Sequence, residues 1–191
     1  MRAIVKISIA ILAVSAVNIP AYAKDLQALK MEGKGLMMKF GKSLKGELVA
    51  AMKQGGPVKA IGVCRVKAPK IASQVSSGSW KVARSSHKLR NPSNGPDAFT
   101  RMVIKEFSKR QAAGEKANTL LKAKITEENG KKVFRMVKAI PTAKVCLKCH
   151  GGDNVKPQVV EKIAELYPND KARGFKEGEM RGVFTLKKVL E

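Results

Sequence analysis

Asn129-Gly130, followed by Val133-Phe134-Arg135-Met136-Val137-Lys138-Ala139-Ile140, is a turn dipeptide feeding a run of strand length and composition. Asn-Gly tolerates the positive φ of a tight hairpin turn, and a short β-branched run bounded by turn residues suits a strand better than a helix. Asn118 to Thr126, on the other side of the turn, is the expected hairpin partner. Upstream, Trp80-Lys81-Val82-Ala83-Arg84 alternates as a short strand, and Gly182 to Leu186 reads as a final one.

Helical patterns surround these strands. Leu29, Leu36, Phe40, Leu44, Leu48 and Met52 recur nearly every fourth position, with lysines on the other face, predicting a long amphipathic helix over residues 24–54. Gly33 and Gly35 weaken its first half and are expected to mark a bend, and Gly55-Gly56-Pro57 ends it. A second helix presents Ile61, Cys64, Ala68, Ile71 and Val75 on one face and stops at Ser76-Ser77-Gly78. The stretch Asn91 to Asp97 has loop chemistry, and Pro96 opens a helix whose buried face is Phe99, Val103, Ile104 and Phe107. Val159 to Leu166 forms a last helix. Two helices followed by a small sheet interrupted by helices make an α+β protein, not a mostly helical one.

Residues 1–23 have the form of a secretory leader, with Arg2 and Lys6 before the apolar run Ile7 to Val17 and the small-residue end Ala21-Tyr22-Ala23. Cleavage there leaves one domain, residues 24–191, in the periplasm; an uncleaved anchor is the alternative, although the apolar run is short for a span. The chain carries 38 Lys and Arg against 15 Asp and Glu, a net charge of +23, which falls to +21 without the leader. Such a field favours a separate, acidic redox or signalling partner protein, or peripheral contact with an anionic membrane surface; the bland reading is solubility alone. Nucleic acid is not an expected partner, because the compartment lacks it and 5% aromatic residues offer few stacking platforms.

Cys146-Leu147-Lys148-Cys149-His150 has the Cys-x-x-Cys-His spacing that attaches one haem c covalently: two thiols reach the porphyrin vinyl groups and the adjacent imidazole lies beneath the iron. A zinc site would need further ligands at short spacing, and only His87 and Cys64 remain. Thr142 is expected to cap the turn carrying the motif and Gly151-Gly152 to end it. His150 is therefore the first axial ligand. By chemical type, the opposite one is Cys64, His87, one of seven internal methionines, or none. Each candidate also has an ordinary reading: Cys64 as a small apolar filler, Met37, Met52, Met102 and Met136 as core, and His87 as a solvated residue. Arg84, Lys88 and Arg90 lie in the adjoining loop and suit haem propionates, or are simply solvated. No acid–base pair stands near any motif, so an enzyme of the peroxidase type is not expected.

A broader set of motifs bears on these alternatives. Ala60-Ile61-Gly62-Val63-Cys64 with Ala68-Pro69 and Ile71-Ala72 comes first, then Arg84-Ser85-Ser86, Lys88-Leu89-Arg90-Asn91-Pro92, and Asn94 with Pro96-Asp97. The haem pentapeptide and Gly151 follow, and then Tyr167-Pro168-Asn169-Asp170-Lys171-Ala172 with Gly174 and Arg181-Gly182. Over roughly residues 40 to 190 the chain resembles a family of exported monohaem c-type proteins with a PAS-like antiparallel sheet. That resemblance implies Cys/His iron ligation, with Cys64 the thiolate and His150 the imidazole. It also implies a redox or small-ligand-responsive sensor, found alone or as the extracytoplasmic input of membrane-bound signalling proteins. His87 departs from the family pattern, where an aliphatic residue is expected, and adds a competing ligand. No kinase or cyclase region follows, so any signal is expected to pass to a separate protein. The competing class is a basic electron-transfer cytochrome with unchanged ligation in both oxidation states.

Overall fold

The computed structural model describes residues 21–190. The expected leader lies outside them except for its last three positions. The first element, α1, runs Ala21–Val75 and is broken at Gly55-Gly56. Gly56 has φ 66° and ψ −162°, a conformation open essentially to glycine alone, and Pro57 starts the second arm where its missing N–H costs nothing. The predicted break is therefore present. The bend expected at Gly33 and Gly35 is not. Gly33 is buried, and a Cβ there would lie 3.0 Å from the Met136 sulfur and 3.6 Å from the Trp80 ring. The glycine thus lets a straight helix approach the sheet closely.

Four antiparallel strands follow: β1 (Trp80–Ser85), β2 (Leu121–Glu128), β3 (Lys131–Pro141) and β4 (Met180–Val189), in the spatial order β1-β4-β3-β2. The β2–β3 hairpin turns on Asn129 (φ 53°) and Gly130 (φ 73°), with Glu128 opposite Lys131. The central position of β3 explains its near-continuous apolar sequence, since both of its faces are covered. Phe134 and Met136 join Met37, Phe40, Trp80, Val82, Ile71 and Leu186 beneath α1. Val137 and Ala139, on alternate positions, join Val103, Ile104, Phe107, Leu120 and Val183 beneath α2 (Ala98–Ala112).

Asp97 caps α2, accepting from Thr100 N–H at 2.8 Å, and also binds the buried Arg135 of β3. Arg135 donates to Glu128 at 2.7 Å and lies over the Phe99 ring at 4.8 Å, so its charge is matched from both sides. Met102, expected in the core, is 48% exposed on the outer face of α2. It sits one residue before the buried pair Val103 and Ile104, and the helix turns it outward.

Two further helices, α3 (Leu147–His150) and α4 (Pro157–Leu166), lie between β3 and β4. Val159 and Ile163 of α4 pack with Val155 against Ile61 on the second arm of α1. This small apolar cluster brings the Cys64 arm to the segment that carries the haem-type motif.

Candidate functional site

The motif leaves β3 through a 3₁₀ turn, Lys144–Cys146, and enters the single turn of α3. Thr142 does not cap it: the N-cap position is Ala143, and the buried Thr142 Oγ1 has no hydrogen-bond partner among the described residues. Its backbone instead pairs with the β3–β4 connection, donating to Glu179 O at 2.7 Å and accepting from Gly178 N–H at 2.8 Å. Gly151 ends the turn as expected, its N–H donating to Leu147 O at 3.1 Å. A Cβ at Gly151 would stand 2.7 Å from that same oxygen, so only glycine fits.

Residues 167–175 wrap this turn as a strap. Phe175 N–H donates to His150 O at 3.0 Å and Gly174 N–H to Gly151 O at 2.9 Å, while Lys171 N–H donates to Leu89 O at 2.8 Å. Inside the strap, His150 Nδ1 lies 2.8 Å from the Ala172 carbonyl oxygen. A carbonyl can only accept, so Nδ1 carries the proton and Nε2 keeps its lone pair. Burial, then the cations of Arg181 and Arg90, hold the imidazole pKa well below its usual value, outweighing the Ala172 bond. His150 is thus a neutral, oriented ring with one nitrogen available for a metal, the state a histidine ligand requires.

Arg90 occupies the centre of the corner. Its Nε and Nη2 reach the two carboxylate oxygens of Asp170, each at 3.1 Å, and Nη2 also donates to Cys149 O at 2.8 Å. Asp170 in turn accepts from Ala172 N–H at 2.9 Å. One fork-to-fork pair therefore ties the β1–α2 loop, the Cys-x-x-Cys-His turn and the strap together. The position of Arg90 beside the motif was readable from the sequence; its partner Asp170 and the role of Ala172 were not.

Cys64, Cys146 and Cys149 are all half-buried free thiols. Burial pushes the Cys64 thiol up, while the nearby Arg84 and Arg90 pull it down. Burial likewise raises Cys149, Arg90 opposes it, and the neighbouring thiols Cys64 and Cys146 add to the rise. Cys149 packs against the apolar cluster that contains Ile61, on the same arm of α1 as Cys64.

The corner is also unusually cationic. Arg84 is lowered by burial, and Arg181 falls to about 10 through burial and the proximity of Arg90 and Arg84. Arg181 Nε is buried without a hydrogen-bond partner among the described residues, and its Nη1 donates to Ser86 Oγ at 3.2 Å and Lys88 O at 3.3 Å. Arg181 was not singled out as a functional residue in the sequence, though an arginine beside the motif glycine Gly182 was a usable signal. A Cβ at Gly182 would come within 2.5 Å of Ser85 O, which fixes why β4 enters beside β1 with no side chain there.

His87 is exposed, as its polar neighbours suggest, with its ring against Phe175 at 5.7 Å between centroids. Phe175 also touches His150 edge-on at 6.3 Å, and Arg181 lies over its face at 5.1 Å. Beside Arg90 a cleft of about 300 Å³ opens between Arg65, Asn91 and the Leu166 to Asn169 stretch. Buried guanidinium charge with too few carboxylates, paired thiols and a neutral imidazole together fit a metalloporphyrin with acidic substituents better than a bare cation.

A family model described as Tll0287-like: Tll0287 matches residues 3–188. No curated protein matches the chain. Among solved structures, the crystal structure of the cyanobacterial heme-protein Tll0287 aligns with 88% of this chain and 96% of its own, at 24% identity and a TM-score of 0.60. At that identity the likeness establishes a common fold.

Proposed function

Because the chain belongs to the Tll0287-like family, we propose that it is an exported monohaem c-type protein acting as a redox or small-ligand-responsive sensor. The description of its structural relative as a heme-protein supports the cofactor class. The observation that carries the reading is His150, whose Nδ1–H bond to Ala172 leaves Nε2 unprotonated next to two half-buried thiols.

In this reading Cys146 and Cys149 would hold the porphyrin and His150 Nε2 would hold its iron. Asp170 and Arg90 hold the turn and strap so that the ring keeps one orientation. Cys64 would hold the iron from the other side of the site as a thiolate, a use for an otherwise unpaired cysteine in an oxidising compartment. Arg84, Arg90 and Arg181 would neutralise the carboxylates of the porphyrin. A bound haem would supply a one-electron ferric/ferrous couple and a site whose ligation depends on oxidation state. The PAS-like description of the sheet, the periplasmic location, the absence of enzymatic activity and a separate acidic partner belong to the same proposal.

Electron paramagnetic resonance and optical spectra of the ferric and ferrous protein, beside Cys64→Ala, test it. The expected result is a low-spin thiolate signature that the substitution removes, with a ligand change on reduction. Spectra of one type in both states and indifferent to Cys64 would overturn the sensor reading. The high net charge of +23 would then favour an electron-transfer protein docking on acidic partners.

A further inference from the structure

The outer face of the first arm of α1 has a pattern that neither the core nor the cysteine corner uses. Met31, Lys34, Met38, Lys42, Lys45, Val49 and Lys53 follow at intervals of three or four residues, so they form one stripe along a continuous helix. The stripe is about 33 Å long at 1.5 Å per residue. All seven side chains are exposed, and Met31 and Met38 are 68% and 71% accessible, the most exposed large apolar residues among those described.

Carboxylates are excluded from it. Asp25, Glu32 and Glu47 are the acidic residues of this arm and none falls in the register. Glu32 is turned toward the sheet, accepting from Trp80 Nε1 at 2.6 Å and pairing with Lys188 at 3.1 Å. Glu47 pairs with Lys67 on the second arm at 3.6 Å. Glu32 and Glu47 are thus spent on internal contacts, leaving a row of lysines punctuated by three apolar side chains.

We infer that this stripe is a docking surface for an anionic lipid bilayer, with the helix lying in the interfacial plane. Lysine ammonium groups on long stems reach headgroup phosphates while Met31, Met38 and Val49 enter the acyl boundary. No helix among the described residues is long and apolar enough to cross a membrane, so the contact is peripheral. An acidic protein would satisfy the lysines but gives no use to unbranched thioethers protruding singly between them, which favours the lipid surface. The inference is independent of the cofactor.

Sedimentation of the purified haem-loaded protein with vesicles of phosphatidylcholine, with and without phosphatidylglycerol, tests the surface. Binding is expected only with the anionic lipid, and it should vanish at salt that shortens the Debye length to about 3 Å. Lys34→Glu/Lys42→Glu/Lys45→Glu should abolish it, at roughly fivefold per lysine or more. The same charge change on and just after α2, Lys105→Glu/Lys109→Glu/Lys116→Glu, should leave most of it, and Met31→Ser/Met38→Ser should weaken it several-fold without removing its salt dependence. An unchanged far-ultraviolet circular dichroism spectrum in each variant reports an intact fold. Equal loss in the two triple variants would overturn the proposal in favour of diffuse attraction. Failure to bind anionic vesicles while binding polyglutamate would overturn it in favour of an acidic protein.

Discussion

The sheet beneath α1 and the corner around Cys146–His150 are closed by opposite means. Under α1 the closing groups are Met37, Phe40, Trp80, Phe134, Met136 and Leu186, all apolar and nearly inaccessible. At the corner they are a guanidinium–carboxylate fork, backbone carbonyls, half-buried thiols and a buried arginine nitrogen with no partner among the described residues. A hydrophobic layer is complete by itself, whereas surplus buried cation is stable only when something anionic joins it. The difference teaches which part of the molecule is closed by apolar packing alone and which part depends on polar and charged contacts.

The sharpest break in that comparison is chemical. Cys146→Ser with Cys149→Ser should eliminate haem that survives denaturing electrophoresis, while the far-ultraviolet circular dichroism of the sheet persists. Loss of the sheet signal as well would show that the scaffold too depends on the ligand. Next in size, Phe134→Ala should cost about 3–5 kcal/mol in urea unfolding, because the ring is fully buried between Trp80 and α1. Asp170→Asn should cost less, about 1.5–3 kcal/mol for hydrogen bonds to a charged group, and its effect should be local. Hydrogen exchange should accelerate over residues 146–175 and leave β3 protected.

The smallest expected effect is the acid limb of stability. Asp97 is held below the usual carboxylate range, since the Thr100 N–H bond and Arg135 outweigh the rise from burial. Glu128 is lowered by Lys187 and Arg135 against burial. Depressed folded-state values mean that both carboxylates stabilise the fold above their unfolded values, near 4, and that this contribution is lost as the pH falls through the folded values. Arg135→Met should therefore flatten the decline of stability in urea below about pH 4. Its cost at neutral pH should match the part of the stability above pH 4 that Arg135 gives these two carboxylates, because methionine removes one partner and leaves Asp97 and Glu128 without it.

What could be read from the sequence follows from the range of the physical signal. The strands and helices of the scaffold show up as periods of two and of three to four, because burial acts residue by residue along one element. Gly33 defeated that reading, since a close approach of helix to sheet and a bend look alike until the neighbour, here Met136, is known. Met102 failed for a related reason: an apolar residue one step off the buried face still scores as core. At the corner, the spacing of Cys146, Cys149 and His150 is itself a local pattern, and Arg90, in the loop after β1, donates to Cys149 O. The bond from Arg90 to Asp170 spans 80 positions and the His150 contact with Ala172 spans 22, and neither leaves a local pattern.

The order of strands has a consequence for assembly. β4 is the last strand in the chain yet lies between β1 and β3, pairing with both. The sheet cannot zip shut until residues 180–189 arrive, and Arg181 and the tail of the strap arrive with them. Cys146 and Cys149, well upstream, lie on an open chain during that interval. Late closure of a non-local pairing is ordinarily a source of slow folding; were a haem attached to these thiols, the same delay would leave them within reach of the attachment chemistry.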